Sequence, residues 1–183
     1  MLRARIIPCL LIRQGGLVKT EKFKNNKYVG DPINAVKIFN EKQADELMVL
    51  DIDATVNKRE PEYELIKNLA TECRMPLCYG GGISTVEQAK YIIGLGVEKI
   101  SISYAAIENP DIITGIAREI GSQSIVVVLD IKKEKSFFKE YYGIRSHNGF
   151  KTHKLDLIEF VKKIESAGAG EIIINSIDND GVQ

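Results

Sequence analysis

Short apolar runs alternate with longer stretches of helical period along the whole chain. The runs near 5–12, 46–52, 76–79, 98–103, 124–131 and 171–177 read as strands. RIIPCLLI, ELMVLDI and SIVVVLDI are apolar on both faces, as in a parallel sheet covered on both sides. Between them the apolar spacing predicts helices near 31–44, 60–74, 84–94, 110–120 and 154–167. Ser84 with Glu87 three residues on reads as a capping box for the third helix. Asn109-Pro110 supplies a cap and a proline at the first helical position of the fourth. Strict βαβα order fits either an open doubly wound sheet or a closed barrel.

An internal repeat favours the barrel. Residues 31–53 laid on 156–178 without a gap match at eight of 23 positions: Asp31, Ile33, Val36, Lys37, Ala44, Glu46, Ile52 and Asp53. The preceding strands align as 6–12 over 125–131, so the units recur four βα steps apart. The expectation is one α/β domain over 1–183, a (β/α)8 barrel of two half-barrel repeats carrying six βα units. The sequence ends after the sixth strand, and six units leave two bare edges. A fragment of a longer reading frame is therefore expected, strands 7 and 8 lying outside it.

Composition narrows the function. The 183 residues carry 25 basic and 25 acidic side chains, which argues against nucleic acid as a partner. No apolar run spans a membrane, and the opening MLRARIIPCLLI is too short for a signal peptide. Cys9, Cys73 and Cys78 without paired spacing, and only two histidines (His147, His153), suit a reducing cytoplasm; neither a metal site nor a cofactor is expected.

In a barrel, chemistry gathers where strands end. The strand ends carry Asp51, Asp53, the Gly80-Gly81-Gly82 run, Ser103, Asp130, Asp178 and Asp180. The glycines let backbone N–H groups approach an anion at a helix start, with a plain tight turn an equal alternative. Lys19, in a Gly-rich loop after the first strand, is a candidate to reach over the same mouth. Asp130 ends a wholly apolar strand, where a carboxylate is costly to desolvate, and is the leading proton donor or acceptor. Its repeat counterpart is Leu11, so a mechanism needing two opposed carboxylates lacks one. Arg5, Glu46, Lys99 and Glu171 begin four strands: each alone is a solvated strand end, together a ring across the barrel floor. Glu98 beside them is a candidate to face a docked partner. Cys9 and Cys78 read as small core residues. The segment 132–153 is long for a βα loop and its Asn148-Gly149 turn predicts a hairpin over the mouth.

RIIPCL, VGDP at 29–32, DELMVLDIDA, GGGI at 80–83, GVEKISIS, AAIENP, IGSQSIVVVLDIK and AGAGEIIINSIDNDG resemble the cyclase subunit of imidazole glycerol phosphate synthase over the whole chain. The resemblance implies a (β/α)8 barrel that receives ammonia from a separate glutaminase subunit through a charged floor gate. At the opposite mouth such a subunit cleaves and cyclises a bisphosphate ribonucleotide between two aspartates. It carries the gate to Arg5, Glu46, Lys99 and Glu171, and the substrate-binding positions to Lys19, Gly81, Gly82, Asp178 and Asp180. One catalytic aspartate falls on Asp130; the other is replaced by Leu11. The asparagine and threonine of the strand-4 phosphate site are Ser103 and Tyr104, and the second phosphate site lies on strands absent here. IPCLLI, GLVKT, KYVGDPINAVKIFNEK and MPLCYGGGI are similar to the paralogues associated with glycosyl amidation. That similarity implies an ammonia conduit working with a glutaminase and a sugar amidotransferase on a surface polysaccharide. A working cyclase of histidine biosynthesis and a non-catalytic activator of a glutaminase are the alternatives.

Overall fold

The structure is a computed structural model and describes residues 4–135 and 140–182. Among the described residues ten strands form one sheet: β1 (Cys9–Arg13), β2 (Gly16–Glu21), β3 (Lys24–Gly30), β4 (Leu47–Asp51), β5 (Leu77–Gly80), β6 (Lys99–Ile102), β7 (Ile125–Lys135), β8 (Glu140–Ser146), β9 (Lys151–His153) and β10 (Glu171–Ser176). Six of them, β1-β4-β5-β6-β7-β10, pair in parallel and in chain order. These are the six strands read from the sequence. Helices α1 (Pro32–Lys42), α2 (Tyr63–Glu72), α3 (Val86–Gly94), α5 (Asp111–Ile120) and α6 (Leu157–Ala167) connect them, with a short α4 (Tyr104–Glu108) after β6. Among the described residues β1 and β10 do not pair, so the barrel is not closed.

Antiparallel additions at the C-terminal ends supply the other four strands. After β1 the chain turns into β2 and β3, where the sequence reading had a Gly-rich loop. After β5's neighbours, β7 runs four residues past its expected end, because β8 pairs with its outer half from Asp130 to Lys135. The predicted hairpin over 132–153 is thus present as β7-β8-β9, its residues 136–139 lying outside the described part. Strand β1 starts later than expected, since Pro8 has no N–H to give to a ladder.

The repeat is visible in the caps. Asp31 and Asp156 each accept the N–H three residues on, from Asn34 (2.9 Å) and Glu159 (3.0 Å). Helices α1 and α6 are both 11 residues long and both end on a left-handed residue, Gln43 and Gly168. The capping box of α3 sits one residue later than expected. Thr85, with extended backbone, accepts from the Gln88 N–H while the Gln88 side chain reaches back to Thr85. Asn109 accepts from the Asp111 N–H at 3.2 Å, but Pro110 takes the cap position and α5 begins at Asp111, one residue later than expected.

Alternation along the strands decides what meets what. The outward file of β4 and its neighbours (Leu47, Val49, Leu77, Tyr79, Ile100, Val127, Leu129) packs with the helices into the main core. The other file packs inward as a smaller cluster of Met48, Cys78, Val126 and Val128, flanked by Ile7, Leu50 and Ile173. Leu129 is fully buried. Leu129→Ala is therefore expected to lower the unfolding free energy by about 2–5 kcal/mol, against about 1 kcal/mol for the cap variant Thr85→Ala, both measured by urea denaturation.

Candidate active site and floor ring

The inward file begins at the floor. Counting back by twos from Met48, Ile7, Ser101 and Ile173 reaches Glu46, Arg5, Lys99 and Glu171, so all four side chains turn into the barrel. They form a closed ring. Arg5 donates to Glu46 (2.7 Å) and pairs with Glu171 (2.9 Å); Lys99 Nζ bonds both carboxylates at 2.8 Å. Each cation thus holds two anions, and the ring is formally neutral. Glu46 is only 2% exposed. Burial alone would lower the Lys99 pKa, but its bonds to Glu171 and Glu46 carry it above the ordinary value. Burial would likewise raise Glu171, whose bonds to Lys99 and Arg5 hold it below the usual carboxylate range. Glu98, at the same end, is exposed, yet its carboxylate accepts the Leu77 N–H at 2.7 Å and so ties β5 to the turn before β6.

At the opposite end the inward file opens into a cavity of about 410 Å³. Its walls include Cys9, Leu11, Gly81, Gly82, Ser103, Tyr104, Asp130, His147, Asn175 and Asp180. Leu11 and Asp130 therefore share one cavity, as the repeat requires. Asp130 lies in register with Asn175, whose side-chain N–H donates to it at 3.0 Å. Burial pushes its carboxyl up to about 6, and Asp180 adds to the shift while the Asn175 bond opposes it. Asp51 and Asp180 also line the cavity, but both are occupied. Asp51 accepts from the Asp53 and Ala54 N–H groups and from Arg59. Asp180 accepts from Thr20 Oγ1 (2.7 Å) and the Phe23 N–H (2.9 Å), joining the β2–β3 hairpin to the end of the chain. Asp130, with one protein donor, keeps the most free accepting capacity of the three.

Three expectations change. Lys19 is on strand β2, not in a loop; it is exposed and borders a separate, shallower cavity beside β1 instead of the mouth. Asp178 does not line the cavity, because its carboxylate accepts the Lys133 N–H at 2.8 Å and anchors the β7–β8 hairpin. Cys9 is not core: it is exposed on the inner wall, where the unpaired edge of β1 leaves it uncovered, although desolvation by its neighbours still raises its thiol to about 11. Cys78 is buried as expected.

The glycine run has a packing reason at each position. A Cβ on Gly81 would lie 2.5 Å from the Asp51 carbonyl oxygen, and one on Gly82 2.7 Å from that of Arg59. Both also have positive φ. The loop after β4 rests directly on this turn, which brings Asp51 and the glycines to one wall. Ser103 lies where α4 starts, and Tyr104 beside it makes an edge contact with the His147 ring at 4.4 Å. Among the described residues no group of three or more metal-ligating side chains gathers. Asn175, Thr20 and Arg59 were missed by sequence reasoning; extending the inward file of β10 by two from Ile173 finds the first of them.

Two outcomes follow from these environments. A carboxyl held low contributes stability that is present above its unfolded pKa and lost as pH falls through the folded one. Lys99→Met is therefore expected to cost about 3 kcal/mol at pH 7 by leaving the two ring carboxylates with a single cation, and the deficit narrows below about pH 4 as Glu171, held low by Lys99 and Arg5, takes up its proton. Asp130 has the opposite sign: its raised pKa stabilises the fold in acid, and the contribution is lost as pH rises through about 6. Asp130→Asn should thus gain about 1–2 kcal/mol over the native chain at pH 8 and little at pH 4, read from denaturation at the two pH values.

Comparison with known proteins agrees with this architecture. The family model described as "Histidine biosynthesis protein" matches residues 5–183. A protein of Vibrio vulnificus (strain YJ016), provisionally named imidazole glycerol phosphate synthase subunit hisF3, is 62% identical over 182 residues, covering 100% of this chain and 69% of its own. One from Leptospira interrogans, with a similarly provisional name, is 54% identical and matched over 71% of its length. The imidazole glycerol phosphate synthase subunit HisF of Pyrococcus furiosus is 43% identical over 183 residues, again 71% of its length. The chain belongs to the histidine biosynthesis protein family, among the HisF-like subunits of imidazole glycerol phosphate synthase.

Proposed function

We propose that this chain is the ammonia-receiving barrel subunit of a glutamine-dependent amidation complex that modifies a surface-polysaccharide sugar. In this reading Arg5, Glu46, Lys99 and Glu171 are the gate through which ammonia enters from a glutaminase docked at the floor, near Glu98. The chain itself comprises the first six βα units of an eight-unit barrel. A sugar amidotransferase completes the transfer at the mouth, and Gly81, Gly82 and Ser103 hold the phosphorylated part of a ligand there. The observation that carries the proposal is the contrast between the two ends. The floor ring is complete, with four bonds between 2.7 and 2.9 Å, while Asp130 shares the mouth cavity with Leu11. A leucine neither gives nor takes a proton, and losing one acid–base group typically removes about 10²–10⁴ in rate.

The second reading is a working cyclase of histidine biosynthesis, favoured by the names of the relatives at 40–44% identity and by the retained Asp130. In that case Asp130 carries the proton transfer without a partner aspartate. The two separate in one assay. The natural gene product, read to its stop codon, receives saturating ammonium and the bisphosphate ribonucleotide of the synthase reaction. The expected result is no turnover, from a protein that still stimulates its cognate glutaminase. Turnover at about 1 s⁻¹ or more would overturn the amidation reading. Failure to stimulate the glutaminase would remove the gate from it.

A further inference from the structure

The β8–β9 hairpin brings together three side chains that the proposed function does not use. Ser146 is 2% exposed. Its Oγ lies 3.0 Å from His147 Nδ1 and 2.8 Å from His153 Nε2. The hairpin register makes this possible: Ile144 pairs with His153 and Ser146 with Lys151, so His153 sits diagonally from Ser146 on the same face. The turn that follows holds His147 and Asn148 at positive φ (54° and 55°), a conformation unfavourable for residues with a Cβ. That turn directs His147 to the wall of the mouth cavity, the cavity that Asp130 also lines. The second ring nitrogen of His147, Nε2, has no hydrogen-bond partner among the described residues.

From this geometry we infer that His147 is a proton-transfer group of the mouth, poised by a relay through Ser146 to His153. A hydroxyl has one proton, so Ser146 donates to one imidazole and accepts from the other. In one arrangement His147 Nδ1–H donates to Ser146, Ser146 donates to His153 Nε2, and His147 presents a lone pair at Nε2. In the other every hydrogen bond is reversed and His147 presents Nε2–H. A proton taken up at His147 Nε2 passes from Nδ1 to Ser146 and from Ser146 to His153 Nε2. His153, half-buried at the hairpin surface, then releases its Nδ1 proton to water, and the second arrangement results with no net charge left in the wall. The charged and titratable neighbours favour that release. Lys151 bonds Tyr104 Oη and Glu108 at 3.0 Å each. Burial, then the Lys151 cation, lower the His153 pKa, outweighing Glu108. Tyr104 packs edge-on against His147, and Asp130 and the Cys9 thiol are further ionisable groups on the cavity wall. The relay supplies the second proton-transfer group that Leu11 removes, and nitrogen delivered as ammonia must lose a proton when it bonds to carbon.

The role given to the relay rests on the mouth receiving ammonia, but its operation does not, so the test uses neither ammonia nor a partner. Diethyl pyrocarbonate carbethoxylates a neutral imidazole nitrogen, releasing ethanol and carbon dioxide, and peptide mass mapping reads the rate at His147 across pH. In the native chain His147 is expected to react, and His153→Gln to slow it about tenfold and to shift its pH midpoint. In a Ser146→Ala background the same His153→Gln change is expected to have no further effect. An unreactive His147 in the native chain, an equal His153→Gln effect with and without Ser146, or an unmoved midpoint would each overturn the relay. A failed glutaminase assay alongside an intact relay would instead count against the ammonia reading alone.

Discussion

Six parallel strands in one register turn every second residue to the same side, and the rest of the molecule follows from that constraint. A slip of one residue in any strand would exchange its inward and outward files. It would carry Glu46 or Lys99 into the apolar layer beneath the helices, where a charge has no partner. The floor ring and the fully buried outward file therefore protect the same register from opposite faces. The same constraint ties the two ends of the interior together. Glu171 lies level with Val126, and Asn175 with Asp130, so four residues of strand, about 13 Å at the usual rise, separate the floor from the acidic mouth.

The two bridges across the unpaired edges make sense in these terms. Arg5 reaches Glu171 at the floor, and Thr20 reaches Asp180 at the mouth. Each links the first βα unit to the last without a ladder between β1 and β10. Gly181 shows how close the upper contact is: a Cβ there would lie 2.1 Å from the Thr20 carbonyl oxygen. The curvature of the sheet is thus held by side chains at the floor, and at the mouth by side chains together with the Lys22 N–H, which donates to the Asp180 carbonyl at 2.9 Å.

Much of this was legible in the sequence because it is local or periodic. The strand order, the outward core and the inward direction of the four floor residues follow from alternation. The matched caps of α1 and α6 follow from the repeat, even though Gln43 takes the left-handed position that its counterpart gives to Gly168. What the sequence concealed depends on long-range docking. The Gly-rich stretch 14–20 reads as a loop, yet residues 16–30 pair as two strands because β1 offers an edge at its C-terminal end. Lys19 leaves the mouth for that reason. Asp178 looked like its neighbour Asp180, yet one caps the β7 extension and the other the β2–β3 hairpin. The Ser146–His147–His153 grouping was invisible because nothing in the spacing of two histidines fixes the register of the hairpin that carries them.

On the proposed reading, the interior between floor and mouth selects by charge. Its wall is built largely of Ile7, Met48, Leu50, Cys78, Val126, Val128 and Ile173, which with the Ser101 hydroxyl offer too few hydrogen-bond acceptors to replace the hydration of an ammonium ion. Ammonia, neutral and small, loses far less on entering. The ring at the entrance is neutral as a whole, and its carboxylates are already committed to Arg5 and Lys99, so it holds no vacant anion to trap a cation. Nitrogen that enters as ammonia surrenders a proton at the mouth, when it forms its new bond. There the cavity offers Asp130, whose pKa burial has moved up to about 6, and among the described residues no lysine or arginine lines it. A wall with that balance takes up protons more readily than it gives them, which is the direction that nitrogen transfer from ammonia requires.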